Sequence, residues 1–128
     1  MKIAIAVKDD FTTVSGHAGK AVSWLVYDCI PEQTIPAPQK IVLRPEQVMH
    51  HFEDEGPHPL DGVEIVIAGS AGDGFVRHMQ ARGAEVLLTG ELEPAAALKK
   101  ILRGEALAAQ RFDVTTTLCR LRDLFSRY

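Results

Sequence analysis

Residues 63–83 read VEIVIAGSAGDGFVRHMQARG, and the order of residue types in this stretch decides the fold. Val63 to Ala68, apart from Glu64, are apolar and largely β-branched, the composition of a buried strand. Glycine and serine then take over in GSAGDG, and the helical stretch that follows stops at Gly83. Strand, glycine loop and helix in immediate succession make an α/β unit. Downstream, Glu85 to Leu88 supplies another strand. Glu93 to Leu102, EPAAALKKIL, reads as an amphipathic helix with proline in its first turn and glycine just beyond its end. This alternation predicts parallel pairing through right-handed crossovers.

Upstream, Ile3 to Val7 has the short apolar character of a central strand, and a polar turn ends it. Val22 to Cys29, VSWLVYDC, and Lys40 to Leu43 flank the proline-spaced PEQTIPAPQ and predict an antiparallel hairpin. Residues 44–56, RPEQVMHHFEDEG, predict a short helix, with proline near its start, Val48, Met49 and Phe52 at near-helical spacing, and a closing glycine. Near the C-terminus, Leu118, Leu121, Leu124 and Phe125 recur at helical spacing and predict a helix suited to a partner. There is no internal repeat and no low-complexity tract. The pattern is that of a small three-layer α/β domain containing a hairpin.

The chain's 128 residues suit one domain and are enough to bury a core without staples. Hydrophobic residues at 46% and charged residues at 24% are ordinary globular values, and a net charge of −3 gives no electrostatic reason to expect nucleic acid. Cys29 and Cys119 are too few and too separated for a disulfide framework, which favours a reducing compartment and so the cytoplasm. In MKIAIAVKDD, polar residues follow the short apolar run too soon for a signal peptide or a membrane span.

Three constellations carry chemistry. In SGHAGKA, residues 15–21, His17 stands between Gly16 and Gly19. A neutral imidazole is a good ligand for iron or another transition metal, and glycines let the backbone approach a bulky ligand. The competing reading is a hydrogen-bonded loop histidine with glycines serving only the turn. Second, Gly69, Ser70, Gly72 and Gly74 lie between a strand's carboxyl end and a helix start, where amide donors and the helix dipole favour an anion. No Gly-Lys-Ser/Thr follows, so this is not a Walker loop. The competing reading is a tight connection with Asp73 capping the helix. Third, His50, His51 and His58 interleave with Glu53, Asp54 and Glu55. Adjacent helical residues do not face one another, so only His50 and Asp54 at i and i+4 reach a common ion, and a solvated surface is the alternative.

Other chemistries find little support. Cys29 ends an apolar strand and reads as buried, Cys119 reads as exposed on the terminal helix, and no CxxC spacing exists to hold an iron-sulfur cluster permanently. A nuclease on this kind of fold needs clustered carboxylates, yet Asp9 and Asp10 come only after the first strand, with Asp28 and Asp73 far along the chain. Ser15 and His17, two apart on a loop, rarely meet in hydrolase geometry.

MKIAIAV, then Ser15, His17, Gly19 and Ala21, then WLVYD, then LDGVEIVIAGSAGDGFVRHMQARGAEVLLTG, then a helix ending in a Gly-Glu step, together resemble the dinitrogenase iron-molybdenum cofactor biosynthesis family. Its pattern near the histidine reads Ser-x-His-Phe-Gly-x-Ala, and this chain has Ala18 in place of the phenylalanine. The resemblance spans residues 1–106 and leaves 107–128 as a C-terminal extension. It implies a ribonuclease-H-like α/β fold with a mixed central sheet and no enzymatic activity. The implied role is a carrier that transiently binds iron-sulfur or iron-molybdenum cluster precursors for nitrogenase cofactor assembly proteins, as a monomer or homodimer. On that basis His17 is the expected metal ligand, Ser15 orients it or donates to a ligand oxygen or sulfide, and Gly19, Gly69, Ser70, Gly72 and Gly74 complete the binding loops. The alternative is a small regulatory or interaction domain of the same fold that binds an anionic metabolite or a protein partner.

Overall fold

The computed structural model describes residues 1–30, 34–52 and 56–103. Their strands are β1 (Lys2–Val7), β2 (Ser23–Asp28), β3 (Gln39–Val42), β4 (Val63–Ala68) and β5 (Glu85–Leu88), with helices α1 (Asp73–Ala81) and α2 (Pro94–Leu102). One mixed sheet holds all five strands in the order β3-β2-β1-β4-β5. β1 pairs antiparallel with β2, and β2 with β3, so the hairpin expected from the sequence forms. β1 pairs parallel with β4, and β4 with β5. The glycine loop and α1 thus belong to a β4-α1-β5 crossover. Among the described residues no helix is long and apolar enough to cross a membrane.

Alternation along the strands sorts the apolar residues into two cores. Ile3, Ile5, Leu25, Tyr27, Ile65, Ile67 and Leu87 pack with Ala97, Leu98 and Ile101 of α2. On the opposite face Ala4, Ala6, Trp24, Val66, Ala68 and Val86 pack with Phe75 and Met79 of α1. Because both faces are covered, β1 and β4 need apolar residues at nearly every position, the exposed Lys2 and Glu64 near their starts being the exceptions. Small Ala4 and Ala6 leave room for the fully buried Trp24. Its indole N–H donates to the Ala21 carbonyl at 3.2 Å, and its ring stacks on Phe75 with centroids 6.5 Å apart.

Both helices follow from their spacing. In α1 the buried Phe75 and Met79 are an i, i+4 pair, and in α2 Pro94, Ala97, Leu98 and Ile101 form one stripe. Pro94 at the start of α2 forfeits no helical hydrogen bond. α1 stops where Gly83 turns to φ +87, a conformation that side-chain-bearing residues resist.

Over residues 44–52, the part of the predicted 44–56 helix that is described, no such helix forms. Pro45–Gln47 makes a single 3₁₀ turn, and Val48 is already extended. The His50 amide donates to the Gly19 carbonyl at 2.8 Å, while Val48 and Met49 are buried in the α1-side core. A backbone donor satisfied by another loop leaves the helical ladder, and here burial of two adjacent side chains outweighs local propensity. Glu53, Asp54 and Glu55, the terminal helix with Leu118, Leu121, Leu124 and Phe125, and Cys119 lie outside the described residues.

Candidate functional site

β1 and β4 run parallel and end at the same edge of the sheet, yet the chain leaves β1 toward β2 and leaves β4 toward β5. This divergence of neighbouring strands opens a crevice at their carboxyl ends, the place where open α/β sheets bind ligands. The two glycine loops identified from the sequence line it.

The loops are joined by backbone. Ser15 N–H donates to the Ala6 carbonyl at 2.8 Å, Gly69 N–H to the Ser15 carbonyl at 2.8 Å, and Ala18 N–H to the Ser70 carbonyl at 3.1 Å. The Ser70 hydroxyl adds a bond to the Gly16 carbonyl. Ser15 therefore acts inside the hinge between the loops. Its side-chain oxygen accepts from His17 N–H at 3.2 Å, which shapes the backbone that carries the imidazole. Gly69 is also internal to this junction.

Beyond the junction the loops open into a cavity of about 410 Å³. The first loop contributes His17, Ala18, Gly19 and Lys20, and the glycine loop with the start of α1 contributes Ser70, Ala71, Gly72, Gly74, Phe75 and His78. Met49 and His50 close the third side. Of the residues expected from the sequence, His17, Gly19, Ser70, Gly72 and Gly74 line the cavity, whereas Ser15 and Gly69 stand behind it. His50 reaches it from a turn rather than from a helix. Lys20, Met49, Phe75 and His78 were not anticipated. For His78 a signal existed, since it follows Gly74 at i+4 and shares its face of α1.

The glycines here provide bare surface. Gly16 and Gly19 have no left-handed backbone, so their conformation does not demand glycine. Instead, a Cβ placed on Gly16, Gly72 or Gly74 meets nothing within 4 Å. At the start of α1 the first helical bond runs from Val76 N–H to the Gly72 carbonyl, so the preceding amides have no partner within the helix. Asp73 does not cap it. Gly72 is the N-cap, and Asp73 occupies the first turn with no side-chain cap bond, where its charge favours the helix dipole.

Three imidazoles, those of His17, His50 and His78, line one cavity with Lys20. They do not form a closed metal cage: among the described residues no three of His, Cys, Asp or Glu converge to hold a metal ion. Cys29 is remote, buried in the α2-side core, and burial pushes its thiol above the usual range. The Asp10 carboxylate accepts the Thr12 amide at 2.9 Å, which holds its pKa down, and Asp28 lies 3.9 Å from the N-terminal ammonium. His58 serves the fold. Its ring is buried and bonded to backbone at both nitrogens, 2.6 Å from the Gln47 carbonyl and 3.0 Å from the Leu60 amide.

The profile of the family described as dinitrogenase iron-molybdenum cofactor matches residues 1–104. Among solved structures, the crystal structure of PH0822 aligns with a TM-score of 0.64 at 20% identity, over 85% of this chain and 95% of that one. The NMR structure of a candidate NifB protein from Thermotoga, assigned to the DUF35 family, aligns with a TM-score of 0.58 at 20% identity, over 88% and 96%. The apo form of the orange protein from Desulfovibrio gigas aligns with 0.57 at 22% identity, also over 88% and 96%. At these identities the likeness concerns the fold. No protein of curated function matches the chain.

Proposed function

Starting from a chain that belongs to the dinitrogenase iron-molybdenum cofactor family over residues 1–104, we propose that it holds an anionic iron-sulfur or iron-molybdenum precursor as cargo during nitrogenase cofactor assembly. One observation carries this reading: His17 and the loop residues Ser70, Ala71, Gly72 and Gly74, distant in sequence, line a single open cavity. The bare glycines leave room for a bulky inorganic body, the amides at the start of α1 suit negative charge, and an imidazole is a suitable exchangeable ligand. In this account His17 ligates the cargo, Lys20 and the α1 amides balance its charge, and Ser15 holds the His17 backbone in place.

Incomplete protein ligation suits a carrier. A closed set of protein ligands opposes release, whereas a cargo bringing most of its own ligands exchanges one or two and moves on. We extend the proposal to a non-catalytic role, to assembly proteins as partners, and to a cytoplasmic monomer or homodimer. We also read the fold as ribonuclease-H-like, on the strand order and the antiparallel β2 and β3 beside three parallel strands. Residues 1–106 form its domain and 107–128 an appended segment.

The test is anaerobic titration of the protein with a cluster donor. The wild type gains charge-transfer absorption that saturates, and His17→Ala loses it. Equal absorption by both proteins removes the ligand assignment.

A second reading, an interaction or regulatory domain that binds an anionic metabolite, draws on the failure of the imidazoles to converge on one point. The two part in competition: a metal-free organic or inorganic anion that binds tightly in the cavity while cluster donor does not supports the second.

A further inference from the structure

The imidazole of His58 has a fixed tautomer, because its two partners can each play only one part. The Gln47 carbonyl, 2.6 Å from Nε2, only accepts, so Nε2 carries the proton. The Leu60 amide, 3.0 Å from Nδ1, only donates, so Nδ1 keeps its lone pair. The ring is 5% exposed and lies edge-on to Phe52 at 4.8 Å between centroids. The His58 backbone N–H donates to Asp61 Oδ2 at 2.9 Å, and Asp61 in turn takes the guanidinium of Arg82, which caps the end of α1. His58 therefore links two backbone segments: one nitrogen holds Gln47, the other holds Leu60, and the turn at Asp61 is tied to Arg82 at the end of α1.

Gln47 is followed by Val48, Met49 and His50, and the last two form the third wall of the cavity. The wall is docked by the bond from His50 N–H to the Gly19 carbonyl and by burial of Val48 and Met49 in the α1-side core. We propose that His58 is the positioning residue of the binding cavity, a strut that works only as neutral imidazole and whose protonation undocks the Met49-His50 wall. A proton on Nδ1 sets a donor against the Leu60 donor, so the charged ring cannot keep both bonds. Among the described residues, the charged or titratable groups acting on the ring are His78 from α1, Arg82 at its C-terminal cap and Asp61 from its own turn. Arg82 and His78 disfavour the charged ring and Asp61 favours it, and burial adds to the first pair. As a statement about the cargo site, this rests on the carrier reading. The docking itself does not.

The test is made on the full chain without cargo, by amide hydrogen exchange and ¹⁵N NMR from pH 8 to pH 5. Above the His58 midpoint, Nδ1 is expected to show the unprotonated and Nε2 the protonated shift. From about pH 6.5 down to the His58 midpoint, protection of the His50 and Leu60 amides is expected to fall by up to about tenfold per pH unit beyond the intrinsic exchange trend, and to level off below it. In His58→Gln, which keeps a donor for the Gln47 carbonyl and cannot titrate, His50 protection is expected to stay level. Protection that is unchanged while the ring protonates, or that falls equally in His58→Gln, overturns the proposal. If His58→Gln does not fold, the wild type decides alone, by whether the ring and the His50 amide share one midpoint. Failure of cargo binding at every pH would remove the carrier reading and leave the strut standing.

Discussion

Gly69 and Ser15 are joined so closely that a side chain has no place between them: Gly69 N–H donates to the Ser15 carbonyl at 2.8 Å, and a Cβ on Gly69 would stand 3.1 Å from that same oxygen. The Gly16 Cα lies equally near, at 3.1 Å. Both obstacles are backbone, which cannot swing aside as a side chain does. This contact sets the two loops against each other and aims their outer residues into one cavity.

Gly69→Ala is expected to push the loops apart and to lower stability by about 1–3 kcal/mol, the range for overpacking at a tight contact. Gly74→Ala should do the opposite. Its Cβ meets nothing within 4 Å, and alanine in a helix is favoured by roughly 0.5–1 kcal/mol, so stability rises while cargo binding weakens because the new methyl occupies the cradle. Urea denaturation and cluster titration of both variants check the separation.

Ala18 is fully buried in the core that holds Trp24 and Phe75, and its amide is bonded to Ser70. Restoring the phenylalanine of the family pattern is therefore expected to be unfavourable in this chain. Ala18→Phe should cost about 1–3 kcal/mol in urea denaturation unless a neighbour is reduced at the same time. A variant as stable as wild type would mean that the loop has space to turn the ring outward.

Acid should weaken the protein in two steps. Burial, the largest cause, lowers the His58 pKa from its ordinary 6.5 with the help of Arg82 and His78, against the raising effects of the Gln47 bond and Asp61. The unfolded chain then binds the proton more readily, so this contribution is complete above about pH 6.5 and is lost as pH falls through the folded value. Asp61 has its pKa lowered from 3.8 by the His58 amide and then by Arg82, so its contribution is present above that value and lost at still lower pH. Urea midpoints measured from pH 8 to pH 3 should fall in both windows, and His58→Gln should remove the upper one only.

Cys29 is expected to be inert in the native protein, since it is buried and its thiol is pushed up by burial before any nearby charge acts. In a Cys119→Ser background, alkylation at neutral pH should occur only when denaturant is added. Rapid labelling of the folded protein would show that the α2-side core opens readily.

Much of the fold was legible in the sequence because each strand pattern had one strong cause. Burial on both faces makes β1 and β4 apolar at every position but the exposed Lys2 and Glu64, and Gly83 and Pro94 mark where α1 stops and α2 starts. Residues 44–56 were misread since proline at a first turn and apolar residues at near-helical spacing are equally served by a 3₁₀ turn whose next residues dive into the core. The site was half legible. His17 and the glycine loop carry local signatures, whereas Met49 and His50 reach the cavity only through the distant pairing of the His50 amide with the Gly19 carbonyl. The double role of His58 was hidden for the same reason: its partners, Gln47 and Leu60, are backbone groups and leave no mark on residue type.

The central claim is that cargo sits between the His17 loop and the start of α1. The most direct measurement is an anaerobic titration of ¹⁵N-labelled protein with a paramagnetic cluster donor, followed through its amide resonances. The account expects signals from residues 16–20, 49–50 and 70–78 to broaden first and together, with the effect weakened at least about tenfold in donor concentration by His17→Ala, a change of an exposed side chain that should leave stability within about 0.5 kcal/mol. Broadening centred elsewhere, or a titration that His17→Ala leaves unmoved, would contradict it.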